Sequence, residues 1–220
     1  MCIRDRYNIG LYQTEEQLIE FKKDCFDLRI DYRLLLKYCF DIRWASENGQ
    51  LELVKLLIDA GADVTADNNY AIIWASYKGH LEVVKLLIDA GADVTADDNK
   101  AIRWVSQKGH LEIVKLLIDN GADVTAYDNY AIILASEKGH TEVVKLLIDS
   151  VADDKKLSFV TANNNYAIRL ASRYGHTEIV KLLIANGADV TDDDNYAIKM
   201  ASYNGHTEVV DLLKKHGATL

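Results

Sequence analysis

From Gly49 onward the apolar positions of this chain fall into two alternating clusters. One is dense, Val-Val-Lys-Leu-Leu-Ile at Val83 to Ile88, with copies further along. The other is sparse, Ala71, Ile72, Ala75 and Ser76 with variable residues between. A Gly-His pair separates the sparse cluster from the dense one, and Gly-Ala-Asp-Val follows the dense one. The dense string with its leading glycine starts at Gly79, Gly109, Gly139 and Gly175, with close relatives at Gly49 and Gly205. Four of the five intervals are 30 residues, and the one from Gly139 to Gly175 is 36. A fixed short period means stacked supersecondary units in place of one closed core.

In the unit from Asp67 to Ala96, Asn69 reads as an N-cap and Tyr70 to Lys78 as a first helix without breakers. Gly79 ends that helix by permitting a positive φ. Leu81 to Ala90 form a second helix with a broad apolar face, and Gly91 supplies its left-handed terminus. Glu82 and Lys85 form an ordinary helix-surface pair. The period also serves as an internal alignment. The columns of residues 71, 72, 75 and 76 keep the same small or apolar types in the five units from Tyr70 on, and at 100° per residue they share one face, the packed one.

The columns of residues 70, 73, 74, 77 and 78 change from unit to unit. The binding candidates among them are Tyr70, Trp74, Tyr77 and Lys78; Arg103, Trp104, Gln107 and Lys108; Glu137 and Lys138; Arg169, Arg173 and Tyr174; and Lys199 and Tyr203. Arg43 and Trp44 come from the first unit. With Lys100 added, this face carries nine basic residues against two acidic ones, Glu47 and Glu137, in a chain of net charge −9. Tyr, Trp and Arg dominate binding hot spots, because they offer large contact area at low entropic cost. The competing reading has the tryptophans packing between adjacent first helices and the cations solvating the rim.

The string Gly79-His80-Leu81-Glu82-Val83-Val84-Lys85-Leu86-Leu87 followed by Gly91-Ala92-Asp93-Val94 resembles the ankyrin repeat, and it recurs in register over residues 38–220. The resemblance implies an all-α, ankyrin-type helical solenoid of about six 30-residue helix-turn-helix repeats. It also implies a concave groove lined by the first helices and a protein-protein interaction module. Two departures stand out. The family's Thr-Pro-Leu-His is replaced by Tyr-Ala-Ile-Ile or Tyr-Ala-Ile-Arg, in a chain without proline. The unit is also shorter than the ~33 residues usual for the family. The missing residues fall between Ala96 and Asn99, where ankyrin proteins project a β-hairpin finger, so shortened or absent fingers are expected. The Tyr-Ala-Ile-Arg-Trp style is similar to ankyrin families of giant DNA viruses.

Charge and composition narrow the partners. A net charge of −9 argues against a general nucleic-acid binder. A single-stranded nucleic-acid binder using the basic-aromatic face is an alternative, as is the substrate-recognition part of a truncated ubiquitin-ligase-type adaptor. Cys2, Cys25 and Cys39 show no CxxC spacing and fit a reducing compartment, so a cytoplasmic location is expected, host cytoplasm if viral. No apolar run approaches the ~20 residues of a membrane helix. The recurring His80, His110, His140, His176 and His206 suit a structural hydrogen bond better than zinc, since copies one repeat apart (~10 Å) cannot share a metal. The aspartates at 93, 97, 98, 123, 128, 189 and 192 to 194 form an acidic loop edge without a calcium-loop pattern. No phosphate loop, nucleophile triad or catalytic cysteine context is present, so no enzyme, no cofactor and no metal are expected. The partner is another protein of unknown identity, and the chain is expected to be monomeric.

The ends are irregular. Residues 1–13 open on Met-Cys-Ile-Arg-Asp-Arg-Tyr, which resembles translated sequencing-adapter read-through, so a non-native start is expected there. Residues 14–37 are expected to form degenerate capping helices, Thr14 to Asp27 and from Asp31 on. The six extra residues near Asp153 to Phe159 read as a surface insertion. Val151 stands where other units have glycine, so its helix should end differently.

Overall fold

The structure, a computed structural model, describes residues 40–220. The segment 1–13, the capping helices expected within 14–37 and all three cysteines lie outside the described residues. Those residues form thirteen α-helices and no strand, as the helical solenoid requires. They fall into two compact units, the first ending at Asp93 and the second spanning Val94–Leu220.

In the first unit α1 (Ile42–Glu47) pairs with α2 (Leu51–Asp59), and α3 (Ala66–Lys78) with α4 (Leu81–Asp89). First helix packs on first helix (α1 on α3) and second on second (α2 on α4). The second unit repeats the arrangement with α5 (Ala96–Lys108) and α6 (Leu111–Asp119), then α7 (Ala126–Lys138) and α8 (Thr141–Asp149). After the extra helix α9 (Asp153–Val160) come α10 (Ala162–Arg173) with α11 (Thr177–Ala185), and α12 (Asp192–Tyr203) with α13 (Thr207–Lys215). The packed columns are as expected: Ala131, Ile132, Ala135 and Ser136 are each 0% exposed. The small side chains Ala131, Ala135 and Ser136 let neighbouring first helices approach closely, and Ile132 fills the space beside them. Ser202 in the last pair is exposed, since no further helix of the described chain covers it.

The entry to every first helix after α1 is a turn of left-handed backbone, whereas α1 is entered through Asp41 in extended backbone. Asp67, Asn68 and Asn69 have φ of 51°, 54° and 61°, and the Asn69 N–H donates to the Thr65 carbonyl at 2.9 Å. The same geometry recurs at 97–99, 127–129, 163–165 and 193–195. Left-handed backbone disfavours L-residues by roughly 1–2 kcal/mol each, least for Asn and Asp. The acidic loop edge therefore has a backbone reason, and this turn stands where a finger was expected to be shortened.

It also corrects the reading of Asn69 as an N-cap. A capping residue needs extended φ/ψ, whereas Asn69 is left-handed and turns its side chain to the segment after α4, where Oδ1 accepts the Asp93 N–H at 2.7 Å. Asn99 does the same for Asp123 at 2.7 Å, Asn165 for Asp189 at 2.8 Å and Asn195 for Thr219 at 3.0 Å.

The six-residue insertion lies at the surface, as expected, but it is a helix whose end is buried. Phe159 and Val160 at the end of α9 are 2% and 0% exposed, which anchors α9 to the core, while Leu157 stays 58% exposed. Helix α8 ends at Ser150 in right-handed geometry, its Oγ donating to the Leu147 carbonyl at 2.7 Å, and Val151 is buried. Inside α9 the Phe159 N–H is committed to the helix, so Asn129 changes role and donates through Nδ2 to the Phe159 carbonyl at 3.3 Å.

Candidate functional site

The first helices bring the candidate residues to one face of each unit. In the first unit Trp44 is 45% exposed. Along α3 the Tyr70 and Trp74 ring centres lie 5.6 Å apart and those of Trp74 and Tyr77 5.5 Å apart, the latter pair edge to face. The Tyr70 hydroxyl donates to Glu47 at 3.2 Å, and Lys78 Nζ lies 3.9 Å from the same carboxylate and 6.0 Å from the Trp74 ring centre. Burial pushes the Tyr70 phenol above its usual range, and the Glu47 charge adds to it. Arg43 grips Asp41 through Nε and Nη2 and also pairs with Asp67. The Arg43 hydrogen bonds hold the Asp41 carboxyl below the usual carboxylate range.

In the second unit Lys100 Nζ lies 2.5 Å from Asp97 and 4.7 Å from the Trp104 ring centre. The Arg103 guanidinium stands 4.5 Å over the Tyr127 ring. Lys138 pairs with Glu137 at 2.8 Å, Arg169 with Asp193 at 2.8 Å and Lys199 with Asp194 at 2.6 Å. Arg169 also stacks 4.3 Å over Tyr196. Arg173 stands 5.6 Å over Tyr174, and Tyr203 is 86% exposed. Gln107 is half-buried and Lys108 exposed beside it.

Two features differ from the sequence reading. The face is narrower, because the columns of residues 73 and 74 turn inward wherever they are aliphatic: Ile73 is 4% exposed, Ile133 2% and Leu134 6%. The excess of basic residues is also largely matched within the chain, by Asp67, Asp97, Asp193 and Asp194 of the left-handed turns and by Glu47 and Glu137. Sequence reasoning did not pair the basic residues with these carboxylates, and Tyr127, Tyr130, Tyr166 and Tyr196 were not among its binding candidates. The available signal was the offset of 24 residues, shared by the asparagine links and by Arg43–Asp67 and Arg169–Asp193.

The opposite face is uniform. Lys55–Glu52, Lys85–Glu82 and Lys181–Glu178 repeat one pair at 2.6 to 2.8 Å. The recurring histidines are inter-pair clasps. His80 Nε2 donates to the Glu47 carbonyl at 3.0 Å, His140 to that of Gln107 at 2.9 Å, and His176 and His206 likewise to Glu137 and Arg173 at 3.0 Å. A carbonyl only accepts, so Nε2 carries the hydrogen. Among the described residues no group of His, Cys, Asp and Glu is arranged to hold a metal, and no helix is long and apolar enough to cross a membrane.

The paired helices, the Gly-His clasps and the 30-residue period agree with a family description: ankyrin repeats (3 copies) match residues 42–128 and again residues 132–220. The chain belongs to the ankyrin-repeat family. Ankyrin repeats are in general protein-interaction scaffolds. Among solved structures this ankyrin chain is similar to the human ASB11 ankyrin repeat domain, with a TM-score of 0.72 and 23% identity over 82% of this chain and 85% of that one. At that identity the likeness is one of fold. No curated protein matches the chain.

Proposed function

We propose that this ankyrin-repeat chain is a protein-interaction module that captures an acidic, partly apolar segment of a protein partner on its first-helix faces. One observation carries the reading. The columns of Tyr77 and Lys78 form a different combination in each of the six pairs, reading Glu-Asn, Tyr-Lys, Gln-Lys, Glu-Lys, Arg-Tyr and Tyr-Asn, while the packed columns beneath them and the second-helix surface stay nearly constant. Packing does not demand that variety, and recognition of an irregular ligand does. The adjoining aromatic side chains supply apolar area, and Arg173, which pairs with no carboxylate among the described residues, supplies charge. We place the module in the cytoplasm and infer a style similar to giant-virus ankyrin families from segments such as Lys100-Ala101-Ile102-Arg103-Trp104 and Tyr166-Ala167-Ile168-Arg169-Leu170.

The test is quantitative pull-down with Tyr77, Lys108 and Arg173 changed together to Ser, beside a control with Lys85, Lys115 and Lys145 changed to Ser. The first set removes partner capture with the helical content intact, because anchors of this type contribute roughly 2 kcal/mol or more each. The control set changes little, since exposed pairs of that kind contribute about 0–1 kcal/mol. The reverse pattern sinks the reading and moves the functional surface to the second helices.

A further inference from the structure

Three first helices carry an arginine in the column of residue 73, and each faces the residue 24 positions later in a left-handed turn. Arg43 meets Asp67 and Arg169 meets Asp193, so both guanidinium groups are neutralised by a carboxylate. Arg103 meets Tyr127. Its guanidinium stacks 4.5 Å over that ring, and its one hydrogen bond runs from Nη2 to the Asp97 carbonyl at 2.9 Å. Nε is buried without a partner, and among the described residues no carboxylate lies within ion-pair distance. The nearby Asp97 carboxylate is held by Lys100 at 2.5 Å. Arg103 is thus a fixed cation whose charge the chain leaves open.

Tyr127 is itself anomalous. It holds φ of 55°, in a region where a bulky side chain is an outlier, and its counterparts at 67, 97, 163 and 193 are Asp or Asn. It is 61% exposed, so burial does not compensate the strain. Tyr130, 37% exposed, stands edge-on to it at 5.8 Å. The exchange of an acid for a ring at this turn leaves a cation stacked on one phenol with a second beside it.

We propose that Arg103, Tyr127 and Tyr130 form a carboxylate-binding hot spot that takes an Asp or Glu side chain of the partner segment. Stacking on Tyr127 fixes the guanidinium plane in advance, so little rotamer freedom remains to be lost when Nη1 and the second Nη2 hydrogen meet a carboxylate edge. The phenol rings cover the apolar stem of the same side chain or of its neighbour. The inference rests on the acidic-segment reading above and assigns one of its contacts.

The experiment uses a capped peptide of alternating glutamate and leucine and its glutamine-leucine counterpart, titrated into the full chain while the Arg103 Nε–Hε resonance is followed by NMR. The variant is Tyr127→Asp, which installs the acid found at the two sister turns. In wild type the acidic peptide moves the Arg103 resonance and the glutamine peptide does not. In Tyr127→Asp the thermal midpoint rises while affinity for the acidic peptide falls about tenfold or more, the loss expected when one charged hydrogen-bonded contact is removed. A midpoint that does not rise shows that the variant has disturbed the turn, and Arg103→Gln then makes the same affinity test. If the acidic peptide binds wild type and both variants alike, this assignment is overturned and the broader surface stands. If it binds wild type not at all, or no better than its glutamine counterpart, both the assignment and the acidic-segment reading are overturned.

Discussion

Gly109 does two jobs at once, and replacing it with alanine separates them. Its φ is +78°, and an added Cβ would lie 2.5 Å from Nδ1 and 2.6 Å from Cε1 of His140. Contacts under 3.0 Å do not occur for real Cβ atoms, so the imidazole must move. The ring is not a loose end, because its Nε2 donates to the Gln107 carbonyl at 2.9 Å. Placing alanine in left-handed backbone costs roughly 1–2 kcal/mol. The displaced hydrogen bond adds about 1 kcal/mol, and crowding in a packed interface adds about 1–3 kcal/mol. Gly121→Ala isolates the first contribution, since Gly121 has φ of +91° and nothing within 4 Å of its added Cβ. Urea unfolding followed by far-UV circular dichroism should therefore show Gly109→Ala weaker than Gly121→Ala by roughly 2 kcal/mol or more. Adding His140→Ala to Gly109→Ala should recover the crowding part. Equal losses for the two glycine variants, within about 0.5 kcal/mol, would refute the clasp as an energetic element.

Two further outcomes are expected. Ser136→Ala should raise stability by about 1 kcal/mol, because the Ser136 hydroxyl is fully buried without a hydrogen-bond partner; Ser202→Ala, in the same column but exposed, gives the helix-propensity part alone, and a fall in midpoint for Ser136→Ala would show that the hydroxyl is satisfied in solution. The Thr65 hydroxyl first and its N–H second hold the Asp63 carboxyl below its usual range, and Thr191 does so for Asp189. A lowered folded-state pKa gives stability that is present above the unfolded value, near 4, and is lost as pH falls through the folded one. The thermal midpoint should accordingly drop below about pH 4, and Asp63→Asn with Asp189→Asn, which keeps an acceptor oxygen but cannot titrate, should shrink that drop.

The helix pairs were legible in the sequence because their signals do not compete. Gly79 can only mark a helix end, and Val83, Val84 and Leu87 can face only the core. The left-handed turns were not legible, because the residues that favour them, Asp and Asn, are also the preferred helix caps, and Asn69 satisfied both descriptions. Helix α9 escaped because eight residues, Asp153–Val160, are too few to display a helical period. On the candidate face the wheel grouped Ile73 with Trp74 and Tyr77 by angle, but angle does not say how deep a column sits, and Ile73 is buried. The pairing of Arg43 with Asp67 and of Arg169 with Asp193 was hidden for another reason: it joins different repeats, and charge counted column by column cannot see it.

The asparagine link has a consequence for how such a chain can grow. Each link joins a side-chain oxygen to a main-chain N–H, and the N–H comes from Asp93, Asp123 or Asp189 and in one case from Thr219. The receiving end therefore asks nothing of residue identity. A stretch of gene one period long, cut at any point and inserted or deleted by unequal crossing-over, leaves no link half-made, since every copy brings an oxygen and an N–H in the same spacing. The joint at Asn129 and Phe159 is different, because there the amide group points its nitrogen to a carbonyl. A block ending at that joint cannot be exchanged with the others without remaking the contact, so the stretch around α9 is the joint least suited to such exchange.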